Sequence, residues 1–329
     1  MSVEIKGGLV IVSEAACKAV IDRESAFSAV ESVFAAMARG DAYNFPVIRE
    51  AIGYADALYG FKSGFDRAGK ALGLKSGGYW PGNEAKGLTN HQSTIFLFDP
   101  DTGKLRALVG GNYLTAVRTA AASAVSIAHL ARKDSKVLGM IGAGHQSTFQ
   151  LRAALEQRNF EKIVAWNENK DRLGSLQAIA EEAGIPFESV EREQLGAEAD
   201  VIITITSAFE PLLMKEWIKP GTHIACMGTD TKGKQEVDPA LIAAATVFTD
   251  EIAQSITIGE AQHAVASGLI AEDDITPIGD VINGKPAGRS SDDEITIFDG
   301  TGVGLQDLAI ASVAAELAVK KGEAQQIEL

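Results

Sequence analysis

Cysteine is nearly absent: Cys17 and Cys226 are the only two in 329 residues, with no metal-type spacing between them. That excludes a disulfide-stapled scaffold and fits a reduced, cytoplasmic protein. The five histidines, His91, His129, His145, His223 and His263, are scattered without an HxxxH pattern, so no metal is expected. Basic residues are scarce beside acidic ones, 30 against 44, for a formal net charge of −14. Such a field disfavours nucleic acid and anionic membrane as partners. No window reaches the roughly 18 to 20 apolar residues that a membrane span requires. The opening MSVEIKGGLVIVSE has no basic segment leading into a long apolar stretch, so it does not read as a secretory leader. Internal repeats, low-complexity tracts and flexible linkers are also missing. What remains is 46% hydrophobic with 33 glycines, the balance of a globular α/β protein with room for two domains.

The most informative segment is KVLGMIGAGHQS (136–147), an apolar run that breaks into Gly-x-Gly-x-x-Ser. A second apolar run, KIVAWNEN, follows and ends in Asn167 and Glu168. Strand, glycine turn, helix and strand at this spacing predict a dinucleotide-binding βαβ unit. Gly142 would make the tight turn, and Gly144 would let backbone amides approach a pyrophosphate at a helix N-terminus.

Around this unit the pattern has two halves. Residues 13 to 39 carry apolar positions at helical spacing, with Ser13 and Asp22 as N-caps and Gly40 as a stop. From Phe45 to Phe98 short strands alternate with Gly, Asp and Pro, and the DPDTG turn (99–103) predicts a hairpin. An antiparallel sheet with a helix packed on it is expected there. Residues 113 to 132 read as a long Ala-rich helix. Beyond them strands and helices alternate in the rhythm of a doubly wound parallel sheet, and a last strand, glycine turn and helix close the chain.

Several charged residues sit oddly. Arg49 lies inside the apolar run PVIRE, Lys75 inside GLKSGGYW, and Arg118 on a helix otherwise made of Ala, Ser and Val. Each is either a salt-bridged structural residue or part of a cationic grip on a substrate carboxylate, where arginine offers a fork that lysine cannot. Asp230 lies in MGTDTKGKQEVD, a Gly-rich loop after a strand, where α/β sheets place ligands. It is either a capping turn residue or a general acid or base toward an amine or imine.

Together the motifs GLK, DPDTG, LTAVRTAAAS, GAGHQS, MGTDTKGKQEVD and TIFDGTGVGLQDLA resemble the ornithine cyclodeaminase/μ-crystallin family, from about Phe45 to Leu317. The resemblance implies a Rossmann NAD(P)-binding domain over 126–302. It also implies an α+β substrate and dimerisation domain made of 1–125 with 303–329, in a homodimer. By the same resemblance Arg49, Lys75 and Arg118 hold the substrate carboxylate, Arg118 also borders the cofactor, and Asp230 is the acid/base residue, with Lys75 sharing the proton work. Gly142, Gly144, His145 and Gln146 form the pyrophosphate loop. Asn167 reads the adenosine ribose, and Met227, Asp230 and Lys234 lie on the nicotinamide side.

Asn90, His91, Gln92 and Ser93 stand where many relatives carry smaller or more apolar residues. His91 is either a packed strand histidine or a substrate contact. The extra donors point to a dicarboxylic imino acid such as iminosuccinate, which would give aspartate. Glu168 at the end of the second strand would oppose a 2′-phosphate, although Lys170 and Arg172 lie close by, so NAD is favoured over NADP. The expected activity is NAD(H)-dependent reduction of a small anionic imino acid, or the reverse amino-acid oxidation. The alternatives are redox-neutral cyclodeamination and a non-catalytic nucleotide-dependent ligand carrier.

Overall fold

The computed structural model describes residues 8–285 and 288–328. It divides into two compact units: one runs to Arg118 and resumes at Val303, and the other is Thr119–Gly302. The first unit begins with β1 (Leu9–Val12), α1 (Glu14–Val20) and α2 (Arg23–Ala38). Both proposed caps form, and that is why the helical run splits in two. Ser13 Oγ accepts from Ala16 N at 3.1 Å, and Asp22 Oδ1 from Ser25 N at 2.8 Å. Next come β2 (Ala42–Asn44), β3 (Ile48–Ala51), β4 (Leu58–Asp66), β5 (Ala71–Tyr79), β6 (His91–Phe98) and β7 (Leu105–Gly110). In the turn between β6 and β7, Asp99 Oδ1 accepts from Asp101 N and Thr102 N, closing the predicted hairpin.

The unit boundary falls within α3 (Asn112–Leu130). The second unit then runs through β8 (Val137–Ile141), α4 (His145–Leu155), β9 (Lys162–Trp166), α5 (Gly174–Ala183), β10 (Phe187–Ser189), α6 (Arg192–Glu198) and β11 (Val201–Thr204). It continues with β12 (Phe209–Leu213), β13 (His223–Cys226), β14 (Gln235–Val237), α7 (Pro239–Ala244) and β15 (Thr246–Thr249). The last elements of this unit are α8 (Ile252–Ser255), α9 (Gln262–Ala266), β16 (Ile275–Pro277), α10 (Ile278–Ile282) and β17 (Thr296–Asp299). Finally α11 (Gly304–Lys321) and β18 (Gln325–Ile327) return to the first unit.

In the second unit eight strands lie in the order β10-β9-β8-β11-β13-β17-β15-β16, every pair parallel. This is the expected Rossmann-type α/β sheet. Its central strands β8, β9 and β11 (VLGMI, KIVAW and VIIT) are largely apolar, as burial on both faces demands. The chain direction of travel reverses between β8 and β11, and the carboxyl ends at such a switch point form the ligand crevice.

The sheet of the first unit runs β18-β1-β7-β6-β5-β4-β2, with β3 also on β4. It is mixed rather than purely antiparallel: LVIV pairs with β7 in parallel and with β18 antiparallel. Helix α11 crosses one face, and two glycines let it come close. A Cβ on Gly64 would lie 3.0 Å from Leu305 Cδ2, and one on Gly73 would lie 3.0 Å from Leu308 Cδ2.

Candidate active site

Lys75 and Arg118 meet on one carboxylate. In the middle of β5, Lys75 Nζ lies 2.7 Å from Asp307 Oδ2 and donates to Thr115 Oγ1 at 3.4 Å. Arg118 reaches the same residue from α3, its Nε donating to Asp307 Oδ1 at 2.9 Å while Nη1 donates to Gln306 Oε1 at 3.0 Å. Asp307 is in the first turn of α11, so the helix presents it where the sheet face carries Lys75. All three are buried, with side chains 7%, 7% and 0% exposed. Charges this deep persist because they satisfy one another.

The electrostatics follow from that burial. Burial drives the Lys75 ammonium down, Asp307 resists, and Arg118 and Lys62 add to the fall, leaving it at about 7. Burial would raise the Asp307 carboxyl, but Arg118 and Lys75 overcome this and hold it below the usual carboxylate value. His91 is pushed down to about 3, first by burial and then by Lys75, so its imidazole is neutral. A lysine near neutrality beside a permanent guanidinium can bind a carboxylate and exchange a proton.

The second unit builds a different site at its switch point. Gly142 follows β8 with φ at 105°, and a Cβ there would come within 2.5 Å of Ile205 O beyond β11. Replacing Gly142 by Val should therefore weaken NADH binding at least about tenfold and lower the melting temperature, as read by nucleotide fluorescence titration and thermal unfolding. Gly144 is the N-cap of α4, and a Cβ on it would meet nothing within 4 Å, so the helix N-terminus is open to an approaching anion. Beside it Gln146 Oε1 is buried without a protein partner, an acceptor suited to a ligand hydroxyl. Lys170 is held by Glu191 at 2.8 Å, and Glu168 is exposed at the end of β9, where its carboxylate would oppose a 2′-phosphate. These residues fit NAD.

Past β13, Gly228 opens the loop that carries Asp230. Glu236 binds it down, accepting from Gly228 N at 2.9 Å, from Thr204 Oγ1 at 2.7 Å and from Thr206 N at 2.6 Å. Glu260 accepts from the amides of Glu236 and Val237, both at 2.8 Å, and burial together with the neighbouring Glu236 carboxylate pushes it above the usual carboxylate range. Asp230 Oδ1 accepts from Lys234 Nζ at 2.8 Å, and Lys234 also donates to Gly228 O at 3.1 Å. Met227 is buried against Gly300, where a Cβ would lie 2.6 Å from its sulfur.

Residues 13–322 match the profile of the ornithine cyclodeaminase/mu-crystallin family. The chain belongs to that family. It is 62% identical over 321 residues to the iminosuccinate reductase of Paracoccus denitrificans, covering 98% of this chain and 100% of that protein. The structure of the Paracoccus enzyme in complex with NAD+ aligns with a TM-score of 0.95 at 61% identity over the same shares of the two chains. An archaeal alanine dehydrogenase dimer with bound NAD aligns at 0.92 with 32% identity, over 98% of this chain and 99% of that one.

The positions carried over from the family are distributed as follows. Lys75 and Arg118 come together, but through Asp307, which the sequence reading did not single out. An isolated Asp in the apolar helix GLQDLAIA was the signal, the same one that marked Arg118. Arg49 is on the exposed strand β3, its row shared with Gly60 of β4. The polar wall expected over Asn90–Ser93 is split by strand alternation. His91 and Ser93 point to the face of Lys75, while Gln92 points to the other face and donates to Thr89 O at 2.8 Å. Asn90 Nδ2 donates to Tyr79 Oη at 3.3 Å. Asn167 Oδ1 accepts from Ala143 N at 2.9 Å and Nδ2 donates to Asn169 O at 2.7 Å, so this residue braces the glycine turn. His145 is exposed at the start of α4 and stacks edge-on against Phe149.

Proposed function

We propose that this protein is an NAD(H)-dependent imine reductase that converts a dicarboxylic α-imino acid, iminosuccinate, to L-aspartate. The observation that carries the reading is the buried Lys75–Asp307–Arg118 cluster, in a chain whose other unit fits NAD and whose full length resembles an iminosuccinate reductase. NADH, when bound, supplies hydride for the imine carbon. Arg118, with Nε and Nη1 committed to α11, presents Nη2 to the α-carboxylate. Arg49, on the same sheet face, is a further anchor. Lys75, near neutrality, holds that carboxylate as an ammonium and can pass a proton. Asp230 manages the proton at the imine nitrogen, with Lys234 keeping its carboxylate in place. His91, neutral, contributes a hydrogen bond to substrate.

Cyclodeamination of a diamino acid fits less well, because its distal ammonium would enter a face already rich in cations. We infer a homodimer as well. The sheet face away from α11 exposes Tyr43, Ile48, Tyr59 and Phe61, and a second copy would cover it. The two buried free thiols suit the cytoplasm.

The test follows NADH absorbance. Oxaloacetate with ammonium should oxidise NADH, and oxaloacetate alone should not. If no 2-oxo acid with ammonium does so although the nucleotide binds, the reductase reading fails, and ornithine is the next substrate to try.

A further inference from the structure

The loops that follow β11 and β13 leave neighbouring parallel strands at the carboxyl edge of the second unit's sheet, and one carboxylate holds both. Glu236, in the middle of β14, is fully buried. Its Oε1 accepts from Thr206 N at 2.6 Å and from Thr206 Oγ1 at 2.7 Å, just past β11. Its Oε2 accepts from Thr204 Oγ1 at 2.7 Å, at the end of β11, and from Gly228 N at 2.9 Å, beyond β13. Four donors fill the acceptor sites of one ionised carboxylate. The fit is close: a Cβ on Gly228 would lie 2.5 Å from Glu236 Oε1 and 2.4 Å from Thr206 O.

Further contacts fix the rest of the Asp230 loop. Glu260 holds the backbone of Glu236 itself, and its Oε2 meets the Thr229 hydroxyl. Burial raises both carboxyls. The proton belongs on Glu260, where Oε2 can donate to Thr229 Oγ1; a proton on Glu236 would displace one of its four donors. Lys234 Nζ then ties Gly228 O to Asp230 Oδ1, and Gln262 Oε1 accepts from Gly233 N at 2.7 Å. Asp230 thus lies between fixed points on either side. A turn that only reversed the chain could be satisfied by water, whereas burying an ion is costly. Such a buried brace is suited to preorganising a reacting group.

We propose that Glu236 is a positioning residue for the reaction: its carboxylate fixes the Asp230 loop against the loop after β11, and so governs kcat rather than affinity for nucleotide or substrate. This rests on the imine-reductase reading above, in which Asp230 manages the proton at nitrogen. Glutamine cannot replace Glu236. Each carboxylate oxygen accepts from one backbone amide, Thr206 N or Gly228 N, so either orientation of the side-chain amide sets its NH2 against a backbone N–H.

The experiment compares wild type, Glu236→Gln, Thr206→Val and Thr206→Ser. With oxaloacetate and ammonium, kcat should fall about 100-fold in Glu236→Gln, the effect of misplacing a reacting group by about 1 Å. In Thr206→Val, which loses one charge-assisted bond, it should fall about tenfold, and Thr206→Ser should recover most of that loss. KM and the NADH dissociation constant should stay within about threefold of wild type. The isotope effect on kcat with NADH deuterated at the transferred position should rise, as hydride transfer becomes the slow step. Hydrogen exchange over 204–208 and 227–234, measured with NADH bound, should quicken in both segments of Glu236→Gln. A wild-type kcat in folded Glu236→Gln, or a loss confined to NADH binding, overturns the role and leaves the reductase reading intact. If Glu236→Gln does not fold, Thr206→Val decides: a lower kcat at unchanged NADH affinity supports the role, and an unchanged kcat overturns it. If the wild type binds NADH but reduces no imine, the reductase reading fails and the exchange data judge the brace. Quickening in both segments supports it, and quickening in one alone overturns it.

Discussion

Changing Asp307 to Asn is expected to lower the melting temperature by about 10 °C, the largest stability effect of any single substitution at the site. Asparagine keeps the shape but withdraws the charge on which Lys75 Nζ and Arg118 Nε converge at 2.7 and 2.9 Å. Removing one partner of a buried ion pair typically costs about 3 to 5 kcal/mol, and here two cations lose their partner together. The sign with pH is fixed by the direction of the shift. The folded-state value of Asp307 lies below its ordinary 3.8, so its contribution is complete above that value and is lost as pH falls through the lower folded value. The gap in melting temperature between wild type and variant should therefore close in acid. It should also narrow in alkali, where Lys75 sheds its proton and no longer needs a partner. A gap that stays constant across pH would mean that Asp307 acts by packing alone.

Much of the architecture was legible in the residues. The glycine turn needed Gly142, and the structure gives the reason: a positive φ and a backbone oxygen where a side chain would stand. Ser13, Asp22 and DPDTG carried their local roles because caps and turns are satisfied within a few residues. Pairings across long stretches of chain were not legible. The short β1 says nothing of its parallel partner β7, nor do the exposed residues of β18 announce where they add.

The site divides along the same line. Lys75 and Arg118 stood out as charges in apolar surroundings, but their common partner lies near the far end of the sequence and was found only when α11 folded back. Strand alternation decided the rest. Over Asn90–Ser93 the composition suggested one polar wall, while the register of β6 against β5 sends His91 and Ser93 to one face and Gln92 to the other.

Lys75→Met should separate chemistry from stability in a way that Asp307→Asn cannot. Methionine fills the channel of the lysine stem, Asp307 keeps its bond to Arg118, and the desolvation that drives Lys75 down to about 7 disappears with the ammonium. The fold should therefore melt within a few degrees of wild type. Activity should fall by about a thousandfold in kcat/KM, because one residue supplies both a carboxylate anchor and a proton of matched affinity. Arginine should not restore it: the guanidinium stays charged, and its planar fork does not fit the space of a single ammonium between Thr115 and Asp307. The pH profile is the deciding readout. With rates referred to the imine present at each pH, wild-type kcat/KM should be level in mild acid and decline as pH rises through about 7, where Lys75 loses its proton. His91 adds no step in that range, being held near 3. In the methionine variant the residual rate should lack the alkaline decline. If the decline persists there, the proton belongs to another group and Lys75 is an anchor only.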